Sequence, residues 1–502
     1  MLRPVSLCAW VTACTLMVGC ATPGPKQVLD PITADRASWA ALTDDRPTEP
    51  VTENWLDDLA DPMVEDVIET ALLHNLDLAA SAARVQSARE QARITRADQL
   101  PTLGLSASTT RGRNPPGGFL LGGEFIGSPD PTYFNEYRSR LELNWEIDVW
   151  GRLTDLTRAG YLDAAAQNFD YAAAQLSLAG NTAQNHYALT AARLQRQLAE
   201  RDVETGEANL RVIQRRYQRG ISSSLDLRLA RSSLASSKAT LEQRQQQELE
   251  TARGLEILLG RYPAADIVTR DALPNIAPIL LTGSTTALGT PEALLDRRPD
   301  IIAAERRLKA AGLRVSAARK AFLPALSLQA SAEEQSGSAF SDILDIDALT
   351  TRLIGNATQP LFQGGRLIAG ERSAKATARA ALYDYGNTVL TAWREVEDAI
   401  AAERFLSLRE DALALGFQEA VAVEEITRRR YLAGTVNIFD FIDSQQRRIQ
   451  AEGQLIDAKR ARLSNRVDLY LALGAPFIIG EEAIVTADKG IEGEGSALGE
   501  AL

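Results

Sequence analysis

Asp440 and Asp443 are the residues best suited to chemistry in this chain. They stand three apart in Phe439-Asp440-Phe441-Ile442-Asp443, which puts both carboxylates on one face of a helix. Like charges held close raise each other's pKa values and favour a bound cation. The competing reading is two solvated surface acids. Other candidate sets are thinner. His74 and His186 lie far apart in helical stretches and read as ordinary helix residues. Glu333 and Glu334 are adjacent on a strand, so they point to opposite faces and cannot act as a pair. There is no Gly-rich phosphate loop. An enzyme is the weakest reading, and neither cofactor nor metal is expected.

The second notable pattern is a turn that occurs twice. Arg216-Tyr217 is followed by Gly220 and Asp226, and Arg430-Tyr431 by Gly434 and Asp440. In each, Gly supplies a left-handed cap after a long helix, and Ser224 or Asn437 can cap the next one.

The three cysteines, Cys8, Cys14 and Cys20, all fall in the first twenty residues. Arg3, an apolar stretch from Val5 to Val18 and then Met17-Val18-Gly19-Cys20 read as a secretory signal. Small residues before a cysteine resemble a bacterial lipobox, with Cys20 acylated as the mature N-terminus. Ala21 after it, rather than Asp, implies sorting to the outer membrane. Such an anchor does not span the bilayer. No later run of about 18 apolar residues exists, so strands must make any crossing. With Lys plus Arg at 54 against Asp plus Glu at 66, the net charge of −12 leaves no positive field for a phosphate backbone. A nucleic-acid partner is excluded on that ground.

The elements that would hold these residues come from an internal repeat. Leu76-Asp77-Leu78-Ala79-Ala80 through Leu100-Pro101-Thr102-Leu103 realigns on Pro299-Asp300-Ile301-Ile302-Ala303 through Leu323-Pro324-Ala325-Leu326, an offset of 324 − 101 = 223. Gly151-Arg152-Leu153 then matches Gly365-Arg366-Leu367, and both turns match, at an offset of 214. Leu259-Gly260 and Leu473-Gly474 close the copies. The first copy therefore has nine more residues between Pro101 and Gly151 than the second has between Pro324 and Gly365, a difference for loops to absorb.

Each copy reads helix, strand, loop, strand, long helix, turn, helix. No proline occurs from Gly151 to Tyr262 or from Leu361 to Ala475, and Leu189, Leu194, Leu198 and Leu210 keep heptad-like spacing. A helix from about Arg152 to Arg219 would be roughly 100 Å long. Shorter helices over about Met63 to Gln99 and Leu225 to Leu258 are expected to stack end to end beside it. Sparse aromatics and many Gln, Arg and Glu residues suit helices packed around a wet lumen.

Arg140 to Asp148 alternates polar and apolar without a break, as do the stretches around Leu103, Leu105 and Ala107 and around Leu326, Leu328 and Ala330. A fourth strand, Arg352 to Gln359, is less regular. Dyad alternation over about ten residues marks a transmembrane barrel strand, although a soluble hairpin would show it too. Four strands cannot enclose a pore, and open edges are forbidden in lipid, so the chain must oligomerise.

Several motifs resemble the TolC-type outer-membrane efflux proteins, in particular the NodT lipoprotein branch. They are Trp55-Leu56 with Asp61-Pro62; Ala71-Leu72 with Asn75-Leu76-Asp77-Leu78; Leu294-Leu295-Asp296-Arg297-Arg298-Pro299-Asp300-Ile301 with Ala304-Glu305-Arg306-Arg307; and Gln363-Gly364-Gly365-Arg366. The resemblance implies a mainly α chain with a β-barrel portion, closing as a homotrimer of twelve pooled strands above a periplasmic α-barrel. It implies three further partners: outer-membrane lipid, a periplasmic adaptor and an inner-membrane pump of the resistance-nodulation-division type. It also places Arg216, Gly220, Asp226, Arg430, Tyr431 and Gly434 at the tip that docks the adaptor. Asp440 and Asp443 match the constriction of such ducts, where a trimer would ring six carboxylates. The arginine expected five residues after Tyr431 is Val436, so closure by a salt bridge there is not expected.

The expected organisation is a signal peptide over 1–19, an acylated segment over 20–61, a first repeat over 62–260, a linker over 261–290, a second repeat over 291–474 and a tail over 475–502. That tail is rich in Gly, Glu and Ala after Gly480 and reads as loosely packed or disordered. The expected function is a passive outer-membrane duct for small molecules. The alternative is a periplasmic coiled-coil lipoprotein scaffold without a pore, which leaves the strand alternation unexplained.

Overall fold

The computed structural model describes residues 39–41, 56, 59, 61–121, 124–128, 130–267, 269, 271–276, 290–336, 349–475, 478–479 and 482–483. The leader with Cys20, and all but two residues of the tail after Gly480, lie outside the described residues. In chain order the elements are α1 (Pro62–His74), α2 (Leu76–Ala97), β1 (Thr102–Asn114), β2 (Gly117–Leu121), β3 (Glu124–Ser128), β4 (Thr132–Ile147), α3 (Arg152–Gln218) and α4 (Ser224–Leu258). After a 3-10 turn at Ala293–Asp296 come α5 (Pro299–Lys320), β5 (Ala325–Ser336), β6 (Thr350–Thr358), α6 (Arg366–Leu432), α7 (Ile438–Ala472), β7 (Ile478–Ile479) and β8 (Glu482–Ala483).

The duplication is exact in helix length. α3 and α6 have 67 residues each, α4 and α7 have 35, and α2 and α5 have 22. The nine extra residues of the first copy are shared between a longer β4 and a longer connection from β1 to β4, which carries the two-stranded ribbon β2–β3.

The helix expected over 63–99 is broken at Asn75, whose backbone is extended (φ −67°, ψ 125°). The Asn75 side chain accounts for the break. Its Oδ1 accepts the Leu78 N–H at 2.9 Å, starting α2 afresh, and its Nδ2 donates to the Leu258 carbonyl at 3.0 Å. That carbonyl ends α4 and would otherwise lack an intrahelical partner. The second copy repeats the joint with a different residue: Arg298 Nη1 donates to the Ala472 carbonyl of α7 at 3.1 Å. The helix abutting α4 is therefore α2 alone, and its counterpart abutting α7 is α5. Arg298 also pairs with Asp300 and Glu395, both at 2.7 Å; burial works against its charge, and the two carboxylates more than offset that, so its pKa is raised.

Within the described residues two compact units are distinguished. One comprises Ser87–Ala164 and Arg306–Leu382 and the other comprises the rest. In the second unit α1 lays Val64 and Ile68 against Leu176, Ala179, Ala183 and Tyr187 of α3 and Leu463, Val467 and Tyr470 of α7. Glu403 of α6 is buried between Arg462 (3.3 Å) and Arg466 (3.1 Å) of α7. The first unit holds the main sheet, strand order β1-β4-β5-β6, each neighbour antiparallel. Two strand limits differ from the alternation pattern. β4 stops at Ile147, because the Asp148 carboxylate turns to cap α3 by accepting the N–H groups of Leu153 (3.0 Å) and Thr154 (2.7 Å). The fourth strand runs Thr350–Thr358 rather than 352–359.

The turn after α4 closes against the α1–α2 joint. Gly260 has φ +66°, and a Cβ there would sit 2.3 Å from the His74 carbonyl oxygen, whereas Gly220 (φ +73°) has nothing within 4 Å. Gly220→Ala is expected to cost about 1 kcal/mol, the left-handed penalty alone. Gly260→Ala should cost about 2 kcal/mol more, because the joint must also shift. Denaturant titration followed by helical circular dichroism gives both values; equal costs would contradict the joint as described.

Candidate functional site: an amphipathic sheet and a pair of helical turns

The register of the main sheet sorts its side chains into two faces. On one, Leu103, Leu143, Ala330 and Leu353 align across all four strands, flanked by Leu105, Leu141 and Ala332 and by Trp145, Leu328 and Gly355. Leu103 (68%), Leu105 (77%) and Leu353 (71%) are largely exposed in the single chain, so this apolar face is uncovered. The opposite face carries Ser106, Arg140 and Glu333 in one row and Gly104, Glu142, Ser331 and Arg352 in the next. Arg138 and Arg140 both pair with Glu333 there. β6 looked irregular only because of Ile354, which falls on the polar face.

From Ile147 to Leu141 the apolar face spans about 20 Å of strand, most of the roughly 25 Å apolar band of an outer-membrane barrel. Beyond that length the same face turns polar with Ser139, Tyr137, Glu334 and Ser336. Glu333 and Glu334 thus face opposite ways, as their adjacency requires. Aromatics mark both limits, as amphipathic rings do at a membrane interface. Trp145 donates its indole N–H to the Gln99 carbonyl (2.9 Å) and Trp150 to that of Pro324 (2.7 Å), while Tyr133 and Tyr137 stand at the far end. β1 and β6 are the edges of the sheet. Among the described residues, no helix is long and apolar enough to cross a membrane.

The two turns lie in the other unit. In the first, the Gly220 N–H bonds to the Tyr217 carbonyl and the Ile221 N–H to that of Arg216, both at 2.9 Å; in the second, Gly434 and Thr435 bond to Tyr431 and Arg430 in the same way. These are paired Schellman caps. The cap that follows is Ser223, not Ser224: the Ser223 hydroxyl accepts the Asp226 N–H at 3.1 Å and Asp226 Oδ2 accepts the Ser223 N–H at 2.9 Å. Ser224 is already the first helical residue. In the second turn Asn437 caps as expected, its Oδ1 accepting the Asp440 N–H at 2.9 Å.

Between the turns lies a small core of Ile213, Ala230, Tyr431, Ile438 and Phe441, with Val436 against it. The Tyr431 ring stacks on Phe441 (5.4 Å, 8° between planes) and lies under the Arg216 guanidinium at 5.2 Å. Burial pushes the Tyr431 hydroxyl above its ordinary pKa, against the pull of the Arg216 charge. Tyr431 is 7% exposed and so shapes the tip from within rather than from its surface. Val436 takes the expected arginine's place with an apolar contact. Asp440 is exposed, and Asp443 is paired with Arg447 one turn on at 2.7 Å. Arg447 and the Asn75 and Arg298 joints were missed from sequence. The matched positions 75 with 298 and 258 with 472, separated by the two repeat offsets, were the available signal for the joints.

Duplicated helical hairpins bearing a four-stranded sheet with one apolar face and two free edges define a stave of a membrane duct. The sequence profile of the outer membrane efflux protein family matches residues 67–261 and 290–475, and the chain belongs to that family of outer-membrane channel proteins. It is 30% identical to the outer membrane protein OprJ of Pseudomonas aeruginosa over 89% of this chain and 91% of that one. It is 31% identical to the pyoverdine export outer membrane protein OpmQ of Pseudomonas putida over 94% and 98% of the two chains. The fold matches the crystal structure of the Campylobacter jejuni CmeC outer membrane channel with a TM-score of 0.76 at 26% identity, covering 89% of this chain and 92% of that one.

A charge on the apolar face should be costly and one on the polar face tolerated. Leu103→Arg, in the central row, is expected to lose about 2–4 kcal/mol of folded, membrane-inserted protein, and Ser106→Arg on the polar face much less. Urea titration of the protein in lipid vesicles measures both, and the reverse order would exchange the two faces.

Proposed function

We propose that three copies join their sheets edge to edge into one twelve-stranded barrel and act as the outer-membrane duct of a tripartite exporter. The observation carrying this reading is that the apolar face ends, on both sides, in a strand edge that lipid cannot leave unpaired. Four antiparallel strands leave β1 and β6 running in opposite directions, so β6 of one chain meets β1 of the next antiparallel and the ring closes without a mismatch. The polar face, with Arg138, Arg140, Glu142 and Glu333, then lines a wet lumen.

The duct does no chemistry; an inner-membrane pump of the resistance-nodulation-division type supplies energy and selects the small molecules exported. A periplasmic adaptor docks at the two turns, where Gly220, Arg430 and Gly434 are exposed while Arg216, Asp226 and Tyr431 hold the shape of the tip. Asp440 and Asp443 form the periplasmic constriction, with Arg447 tempering the charge of Asp443. The leader 1–19 is removed and Cys20 carries lipid, with 20–61, 62–260, 261–290, 291–474 and 475–502 as the successive segments of the mature chain.

Full-length protein in planar bilayers is expected to conduct ions in steps; a folded protein without conductance would favour the scaffold. Asp440→Asn with Asp443→Asn should raise conductance and weaken block by divalent cations, and unchanged traces would remove the carboxylate constriction. The mass of the mature protein should include acyl chains that vanish in Cys20→Ser. Finding no lipid on the unmutated protein contradicts the anchor.

A further inference from the structure

The contact between the two turns of one chain is lopsided. Arg216 of the first turn covers the Tyr431 ring of the second at 5.2 Å. Shifting both residues by the repeat offset of 214 gives Arg430 and Tyr217, the same two residue types with the copies exchanged. Within one chain those two do not meet. Tyr217 is 43% exposed, against 7% for Tyr431, and among the described residues the Arg430 guanidinium has no partner. Each chain therefore holds one completed Arg–Tyr pair and, on its two flanks, the two halves of another.

The residues around the completed pair do not repeat in kind. Leu210, Ile213, Val436 and Ile438 pack around Tyr431. Their counterparts at the same offset are Glu424, Thr427, Ser222 and Ser224. An exchanged contact would keep the cation and the ring and lose the apolar seal around them.

We propose that in the assembled ring Arg430 lies over Tyr217 of the partner subunit, forming a polar seam between chains that mirrors the apolar seam within each chain. The proposal rests on the ring described above. The apolar seam holds the two turns of one chain together. The seam between chains, bound mainly by a solvent-exposed cation–π contact, is where the tip parts.

Paired cysteines in the full-length protein test this. Arg216→Cys with Tyr431→Cys calibrates the geometry: a short bis-maleimide should link the two within one chain, leaving the mass on a denaturing gel unchanged and the joined peptides visible by mass spectrometry. Tyr217→Cys with Arg430→Cys should instead give a covalent species of three chains, and either cysteine alone should give none. If the unlinked assembly is three chains by native mass and the calibrating pair links, a seam pair that stays at one chain overturns the proposal. An assembly mass of one chain removes the ring itself, and the seam with it. In planar bilayers Arg430→Ala should raise the open fraction about tenfold over three seams while Arg430→Lys keeps most of the closure. An open fraction unchanged by Arg430→Ala counts against the seam even where linking succeeds.

Discussion

Every N–H and C=O of a segment lying in lipid has to find a partner within protein, because hydrocarbon offers none. This chain meets that demand across β1-β4-β5-β6 and leaves it unmet at the two outer strands. Most other features of the molecule follow from that. One face of the sheet is apolar from Ile147 to Leu141, the other is charged and internally paired through Glu333, and tryptophans and tyrosines stand at the two limits. A soluble protein would cover Leu103, Leu105 and Leu353. Here their exposure, together with the open edges, makes the single chain an unfinished object, which the proposed ring completes with further copies of the chain.

The helices answer a different demand, that of holding two equivalent rods in fixed register. The two copies keep helix lengths of 67, 35 and 22 residues without a single insertion, while the β connections between them differ. Length is constrained where a helix end must meet another: the carbonyl ending α4 is taken by Asn75, and that ending α7 by Arg298. An amide and a guanidinium perform the same bond, which shows that the position and the donor were kept rather than the residue. At the tip the divergence goes further. One copy supplies the buried ring of Tyr431 and the other an exposed Tyr217, so near-equal backbones present unequal surfaces.

Much of this was legible in the sequence. The offsets of 223 and 214 gave the duplication, and the proline-free stretch with its Gly220 cap placed α3 within a residue of its observed limits. The alternation around Leu141 and Leu143 revealed the faces of the sheet. What escaped depended on contacts between residues distant in the chain. Asn75 looks like any helical polar residue until Leu258 stands beside it, and its match to Arg298 was the sole hint of the break between α1 and α2. Asp148 continued the alternation perfectly and yet belongs to the helix cap, because hydrogen bonds to Leu153 and Thr154 outweigh one more strand pair. Ser223 and Ser224 are indistinguishable by type, and only Asp226 at the reciprocal spacing selects the former. In the carboxylate pair, the face shared by Asp440 and Asp443 was readable, but the ion pair from Asp443 to Arg447 was not singled out, although its spacing of four was there to be read.

The central claim is that the sheet is completed by other copies of the same chain. The most direct measurement is the mass of the intact assembly released from outer membranes in mild detergent. Three copies, supplying twelve strands, is the predicted result. A single chain that is folded and membrane-embedded, with β1 and β6 unpaired, would contradict the account at its base.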